Sequence, residues 1–348
     1  MEKVIDKAYC MSSFLSFRYV ARPEVVFGEN IDHKELETVP DSEKTACKTI
    51  NDIEGCIKSK LKNINPEKTA LLLSGGIDSG ILASYMPEGT VAYTVSNPAK
   101  AAQIEIERAA RVCRKYGLEH RIVEVTWEDY EVCIDTLMKH DGCPVFANEP
   151  QVYALTKKIQ ENGFDTVVIG DNADMAFGGM DRMLSKDWTF DEWVERYTFV
   201  KPEKVLVNSA SVIDVYERYR TGENSIDFMK FIEEVFAISS SGAYVNAFDC
   251  LGMKYLDPYA DMKMAEPLDL ERVRSGESKY LLRELYRARF PEFEVPEKIA
   301  MARAVDTWLK DWEGPKRKEF KEGCIEGMTG EQKFLVYSLE RYLNIMNL

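Results

Sequence analysis

The sequence predicts an α/β protein: an open parallel sheet of the five-stranded type with helices on both faces, followed by a mainly α-helical C-terminal part. Three observations carry this prediction. A short continuous apolar run, of the kind buried on both faces of a parallel sheet, occupies residues 70–73, and further strands are expected near 91–95 and from Asp165 to Gly170. Stretches with helical periodicity separate them. Beyond about Trp188 the strand pattern fades, and helix-like segments such as 227–236, 278–289 and 331–347 dominate.

Taken in chain order, the first 40 residues carry the least pattern. From Ser42 onward Ala46, Ile50, Ile53, Ile57 and Leu61 recur every three or four residues, with acids early and lysines late as a helix dipole favours. This is an amphipathic helix packing on the core. Pro66 then precedes the run 70–73, which ends in Ser74-Gly75-Gly76. A helix near 79–86, a strand at 91–95 and a helix over 101–116 stopped by Gly117 follow. Next come a strand at 121–125, helices at 128–139 and 151–162, and a strand from Asp165 ending at Gly170. The chain divides into an N-terminal segment (1–65), an α/β core (66–187) and a helical part (188–348). No internal repeat or low-complexity segment is visible.

Composition excludes several classes of function. The 45% hydrophobic and 30% charged residues of this 348-residue chain suit a globular protein with a sizeable core. A net charge of −14 disfavours binding to nucleic acid or to acidic membranes. The longest uncharged stretch, 235–248, falls short of the ~20 apolar residues of a membrane span. The apolar patch 8–17 runs into Arg18 and Arg22 without a small-residue cleavage site, so a cytoplasmic location is expected. The 8 cysteines are scattered with no C-x-x-C pair, the pattern of reduced, buried thiols rather than of a disulfide framework or zinc site. With only 3 histidines, a multi-histidine metal centre or a Ser/His/Asp arrangement is not evident.

The most specific signal is Ser74-Gly75-Gly76-Ile77-Asp78-Ser79, set where a buried strand turns into a helix. Backbone N–H groups and a helix start converge there, a geometry that binds phosphate. The glycines let the backbone approach a ligand closely, the serines add hydroxyl donors, and Asp78 offers a carboxylate to a magnesium ion riding on the phosphates. The G-x-x-x-x-G-K-[ST] loop is absent.

The segment resembles the pyrophosphatase loop of the family that splits ATP between its α and β phosphates. That family includes asparagine, β-lactam, GMP and NAD synthetases and tRNA-thiolating enzymes. A second motif, Gly170-Asp171-Asn172-Ala173-Asp174 followed by Gly178-Gly179-Met180, looks like the G-[EY]-G-x-D-x-x-x-G-G segment of the asparagine and β-lactam synthetase branch. Two departures stand out: Asp171 replaces the longer Glu usual in asparagine synthetases, and the apolar Met175 follows Asp174 where they carry Glu. A third set, Lys279-Tyr280-Leu281-Leu282-Arg283 and then Pro296-Glu297-Lys298, is similar to the family's K-[WY]-x-L-R helix and later lysine loop. Gly252 and Asp257-Pro258-Tyr259 weakly resemble a family turn and receive no chemistry. His120 occupies a usual histidine position, with a structural role expected.

The resemblance implies an adenine nucleotide α-hydrolase-like core and an AMP-forming ligase with ATP and Mg2+ as cofactors. A substrate carboxylate attacks the α-phosphate, and ammonia or an amine then displaces AMP. It implies that Leu72, Ser74, Gly75, Gly76, Asp78, Ser79, Val95 and Gly170 bind the nucleotide, and that Asp78 and Asp174 hold the metal. Lys279 would contact pyrophosphate, Lys298 would support both steps, and Asp171 would orient the nucleophile or accept its proton. Glutamine-dependent members begin with Met-Cys and carry a full amidotransferase domain. Here the chain begins Met1-Glu2-Lys3 with about half of a ~150-residue domain before Ser74. Free ammonia, a separate glutaminase subunit or an amine on the substrate is therefore expected as nitrogen source. Expected partners are thus small molecules, with no nucleic acid and no membrane; a homo-oligomer stays open. Two alternatives remain: sulfur transfer onto tRNA or a small molecule, for which Cys143 near the strand ends is the candidate, and an inactive binding homologue.

Overall fold

A computed structural model describes residues 2–348. Five parallel strands form the sheet: β1 (Thr69–Leu72), β2 (Val91–Ser96), β3 (Glu119–Glu124), β4 (Thr166–Val168) and β5 (Lys254–Leu256). Their spatial order is β5-β4-β1-β2-β3. The expected α/β class and parallel sheet are therefore present. Because β1 has β2 on one side and β4 on the other, the strand order reverses there. A crevice opens at such a reversal, at the carboxyl ends of the strands.

Side chains alternate across the sheet and sort into two cores. Ala70, Val91, Tyr93, Val167 and Ile169 join one, while Leu71, Leu73, Ala92 and Val168 join the other. The first core is covered by helices α1 (Lys7–Phe17), α5 (Trp127–Asp141), α6 (Asn148–Glu161), α7 (Ala237–Leu251) and α9 (Gly330–Ile345). The second is covered by α2 (Ile50–Leu61), α3 (Ile77–Ala83), α4 (Lys100–Tyr116) and α8 (Tyr280–Arg289). Both faces are thus apolar, which is why the central strands read as continuous hydrophobic runs.

Local signals explain the helix boundaries. A reciprocal Thr49–Asp52 capping box starts α2, and Gly117, at φ 63°, stops α4 in the left-handed conformation. In α1 the side chain of Asp6 accepts from Tyr9 N at 2.9 Å, and every residue from Tyr9 to Phe17 is buried. A helix buried all round has no polar face to betray it.

The structure corrects three expectations. The fifth strand, Lys254–Leu256, comes from the C-terminal half, where the sequence shows no strand pattern. Ala46 lies outside α2: Thr45–Cys47 is a strand paired in parallel with Met262–Met264, tying the N-terminal segment to the C-terminal half. The expected helix 227–236 is a short helix, Phe228–Phe231, running through a π-helical turn, Ile232–Phe236, into α7. Among the described residues no helix is long and apolar enough to cross a membrane.

Leu71 is fully buried in the central strand, whereas Ile122 on the edge strand β3 is 52% exposed. Leu71→Ala is expected to lower the unfolding free energy by about 2–5 kcal/mol. Ile122→Ala should change it by no more than about 0.5 kcal/mol. Urea unfolding of the two variants, followed by fluorescence, checks the difference.

Candidate active site

The site is built at the reversal of strand order. After β1 the chain runs through Ser74-Gly75-Gly76 into α3. Gly75 has φ +71°, and a Cβ there would strike Arg108 and Ala109 of α4, so only glycine lets the loop lie against that helix. Ser79 Oγ ties the loop together: it accepts from Ser74 N at 3.2 Å and lies 3.0 Å from Ser74 Oγ. Asp78 follows on the first turn of α3, beside the neighbouring loop after β4.

That second loop is fixed by a turn given no chemistry from sequence. Asp257 accepts from Asn172 N at 2.9 Å and from Asn172 Nδ2 at 3.0 Å, and Tyr259 donates its hydroxyl to Asp78 O at 3.0 Å. One short segment therefore positions both loops. The signal for it is the Asp257-Pro258-Tyr259 resemblance. Gly170 is needed for closeness: a Cβ there would stand 3.2 Å from the Tyr259 ring and 3.5 Å from Asp78 Cβ.

Two lysines from the C-terminal half meet the two carboxylates: Lys279 bridges both, and Lys298 reaches Asp174 alone. Lys279 Nζ contacts Asp78 Oδ2 at 2.6 Å and forms an ion pair with Asp174 Oδ1. Lys298 Nζ lies 2.8 Å from Asp174 Oδ2 and also donates to Gly179 O. Lys279, only 5% exposed, sits at the N-cap of α8 with φ 53°, a conformation rare for a side-chain-bearing residue. Gly179 makes room for it, since a Cβ there would overlap both Asp174 Oδ1 and Lys279 Cε. Burial pushes Asp78 up, and the charge of Lys279 offsets this only in part. Burial opposes the ionisation of Asp174 too, yet Lys279 and Lys298 outweigh it and hold Asp174 below its ordinary range. Arg283 donates to Ser278 O at 2.7 Å, a structural contact.

Whether this set fits a divalent metal is a question of oxygen donors. Asp78 Oδ1 is buried and has no hydrogen-bond partner, an orphan that a cation would satisfy. Among the described residues no group of three or more His, Cys, Asp or Glu is placed to cage a metal. Two carboxylates without a full protein cage suit magnesium, which takes its remaining ligands from water and phosphate.

A cavity continues from the loop along the strand ends. Leu72, Ser74, Asp78, Ser79, Val95 and Gly170, all expected to bind nucleotide, line it together with Asp171. Residues that sequence reasoning missed here include Gln151 and Tyr244, which carry no motif and face the cavity only because α6 and α7 flank it. The strap 297–302 closes one side with Ile299 and Met301. It is pinned by Arg108 Nη1, which donates to Glu297 O at 2.9 Å, and by Asn97 Nδ2, which donates to Ala302 O at 2.8 Å.

Besides Asp78, two carboxylates in the cavity have shifted titration. Asp171 accepts from Ser241 Oγ of α7 at 2.9 Å, yet desolvation, then the nearby Asp257, pushes it up to about 7. Glu105, buried and pushed by desolvation to about 7, lines both this cavity and the lysine pocket around Asp174. His120 Nε2 lies 2.9 Å from Thr94 Oγ1, a satisfied structural histidine. Cys143 is fully enclosed away from the loop, and desolvation pushes its thiol well above its ordinary value, the opposite of a reactive thiolate.

The fold and the loop define a nucleotide-binding domain of the PP-loop type, and comparison with known proteins agrees. Residues 63–233 match the asparagine synthase family and are a domain of that family, within the PP-loop ATP pyrophosphatase superfamily. The synthetases of that superfamily use ATP. A 7-cyano-7-deazaguanine synthase from Desulforamulus reducens is 42% identical over 62 residues, 17% of this chain and 27% of that protein. One from Marinomonas sp. is 39% identical over 87 residues, 24% of this chain and 37% of that protein. The matched stretch thus spans 27% to 37% of the length of these relatives. Among solved structures, NMN synthetase from Francisella tularensis is 12% identical with a TM-score of 0.27, covering 72% of this chain and 96% of the other. An NH3-dependent NAD synthetase from Campylobacter jejuni is 16% identical with a TM-score of 0.25, covering 72% and 97%.

The raised Asp171 yields a signed expectation. Unfolded Asp titrates near ~3.9, so between about 4 and 7 folding takes up a proton and stability falls as pH rises. The amide introduced by Asp171→Asn does not titrate and can still accept from Ser241. The Tm of Asp171→Asn should therefore exceed that of the wild type by more at pH 8 than at pH 5; thermal unfolding at the two pH values checks it, and a constant difference contradicts the assignment.

Proposed function

We propose that the protein is an ATP-dependent, magnesium-requiring amide ligase that forms AMP and pyrophosphate. The observation that supports this reading most is the convergence of Asp78, Asp174, Lys279 and Lys298 on one point beside the Ser74–Ser79 loop. A charge-dense leaving group needs fixed cations and metal-binding carboxylates together, and a surface of general purpose needs neither.

In the proposed reaction ATP lies along the cavity, its adenine side against Leu72 and Val95 and its phosphates on Ser74, Gly76 and Ser79, with Gly75 letting the loop turn against α4. Magnesium, held by Asp78 and Asp174, would neutralise phosphate charge and align the nucleotide. An oxygen of the substrate carboxylate attacks the α-phosphorus, the bond from that phosphorus to the α–β bridging oxygen breaks, and pyrophosphate leaves toward Lys279 and Lys298. The nitrogen of ammonia or an amine then attacks the acyl carbon and AMP departs. Asp171, with its proton affinity set near neutrality, takes the proton the nitrogen loses. Lys298 is the more exposed of the two lysines and comes from the strap that borders both cavities, so it reaches both the phosphate and the acyl centre.

The nitrogen is proposed to come from free ammonia, from an amine, or from a separate glutaminase subunit. Sulfur transfer is disfavoured by the enclosed, high-pKa Cys143. An inactive homologue has no physical need for this charge set.

The test is the nucleotide product formed from Mg·ATP, ammonium and a panel of small carboxylates, resolved by chromatography. AMP and pyrophosphate are expected with at least one carboxylate, and ADP would contradict the reading. Lys298→Ala should lower kcat by about 10²–10³-fold with little change in ATP affinity. A wild-type rate in that variant would remove the lysine from the chemistry.

A further inference from the structure

Helix α7 has two working faces. Ser241 and Tyr244 face the nucleotide cavity, whereas Ser239, Gly242 and Asn246 line a second cavity on the other side. The far wall of that cavity comes from Arg18 and Tyr19 after α1, the segment 33–36, Asp141 at the end of α5, and Glu149 in α6. Its volume is about 90 Å³, against about 180 Å³ for the nucleotide cavity, so it suits a ligand far smaller than a nucleotide.

Exposed Lys34, Glu35 and Asp249 also line this cavity, while Arg18, Asp141 and Glu149 are more enclosed and are not paired with one another. The Arg18 guanidinium is stacked against Phe199 and Phe146, with ring centroids 4.1 and 4.4 Å away. With its faces covered, its in-plane N–H groups remain for recognition. One of them, Nη2, donates to Ser239 Oγ at 2.8 Å, while Nε is buried without a partner. No carboxylate among the described residues lies within ion-pair distance of Arg18.

Glu149, only 5% exposed, accepts from Asn246 Nδ2 at 2.8 Å and from Phe146 N at 3.2 Å, both neutral donors. Asn246 is itself oriented by His140 Nδ1, 2.8 Å from its Oδ1. Asp141 makes no side-chain hydrogen bond or ion pair among the described residues. Desolvation pushes Asp141 up to about 7, with Lys34 offsetting it only in part, and pushes Glu149 well above its ordinary value. An enclosed cation and two desolvated carboxylates share one small cavity, yet no salt bridge closes between them. Left unpaired, the two carboxyls relieve their desolvation by taking up protons, and a cation seated between them would favour their ionised form.

A second, independent observation points to an occupant. Gly242 sits in the middle of α7, where glycine weakens a helix, and a Cβ built there meets nothing within 4 Å. Neither backbone conformation nor crowding requires glycine at this position. Its absent side chain leaves the cavity open.

We propose that this cavity binds a small zwitterion of the amino-acid type, its carboxylate on the Arg18 edge and its ammonium between Asp141 and Glu149. The site is separate from the nucleotide cavity, and the inference does not depend on the AMP-forming reading.

Isothermal titration calorimetry of the full chain without nucleotide tests it, using the standard amino acids as probes together with their decarboxylated and deaminated analogues. At least one amino acid should bind, and each of its two analogues should bind at least tenfold more weakly. Arg18→Gln should weaken binding at least tenfold. Because that variant also removes the guanidinium packed on Phe199 and Phe146, Gly242→Leu provides the second test: its side chain fills open space, so the fold and Tm should be retained while binding is lost. No binding by any amino acid at millimolar concentration would overturn the proposal, as would unchanged binding in Gly242→Leu.

Discussion

The arrangement depends on one constraint: two carboxylates, Asp78 and Asp174, are held face to face by the nearly buried ammonium of Lys279. Like charges this close repel, and desolvation adds to the cost, so the site forms only when the cation is delivered from elsewhere in the chain. Asp78 is carried by the helix after β1 and Asp174 by the loop after β4, whereas Lys279 begins a helix much later in sequence. The pairing of β5 with β4, and of Thr45–Cys47 with Met262–Met264, ties the C-terminal half to the sheet from which those carboxylates project.

The same constraint accounts for several local oddities. Lys279 adopts a left-handed backbone conformation at the start of α8, and Gly179 gives up a side chain where one would overlap that lysine. Gly75 lets the phosphate-type loop lie on α4. Such local strain and missing side chains are tolerated where surrounding packing fixes them, and they cluster where chemistry is done. Lys298 completes the set from the strap 297–302, which Arg108 and Asn97 hold at its two ends.

Much of this is legible in the sequence, for identifiable reasons. The central strands are buried on both faces and read as apolar runs, and the Ser74–Ser79 loop is specific because glycines, hydroxyls and a carboxylate are each needed at fixed spacing. The expected nucleotide-side residues Leu72, Val95 and Gly170 do share one cavity with Asp171. What is not legible depends on distant contacts. The strand Lys254–Leu256 is three residues long with exposed Lys254 and Tyr255, too short and too polar to stand out. Helix α1 is buried on all sides and lacks amphipathic periodicity. Ser241 and Tyr244 acquire meaning only because α7 lies beside the loop after β4, and the second cavity draws its walls from separated segments of the chain.

The central claim is that the Asp78–Asp174 pair and its lysines form a seat for pyrophosphate with its metal. Calorimetric titration of magnesium pyrophosphate into the wild type and into Asp174→Asn, without nucleotide or substrate, tests it most directly. Binding to the wild type that weakens by at least about tenfold in the variant, a loss of about 1.4 kcal/mol, is the predicted result. Equal affinity in the two proteins would contradict the account.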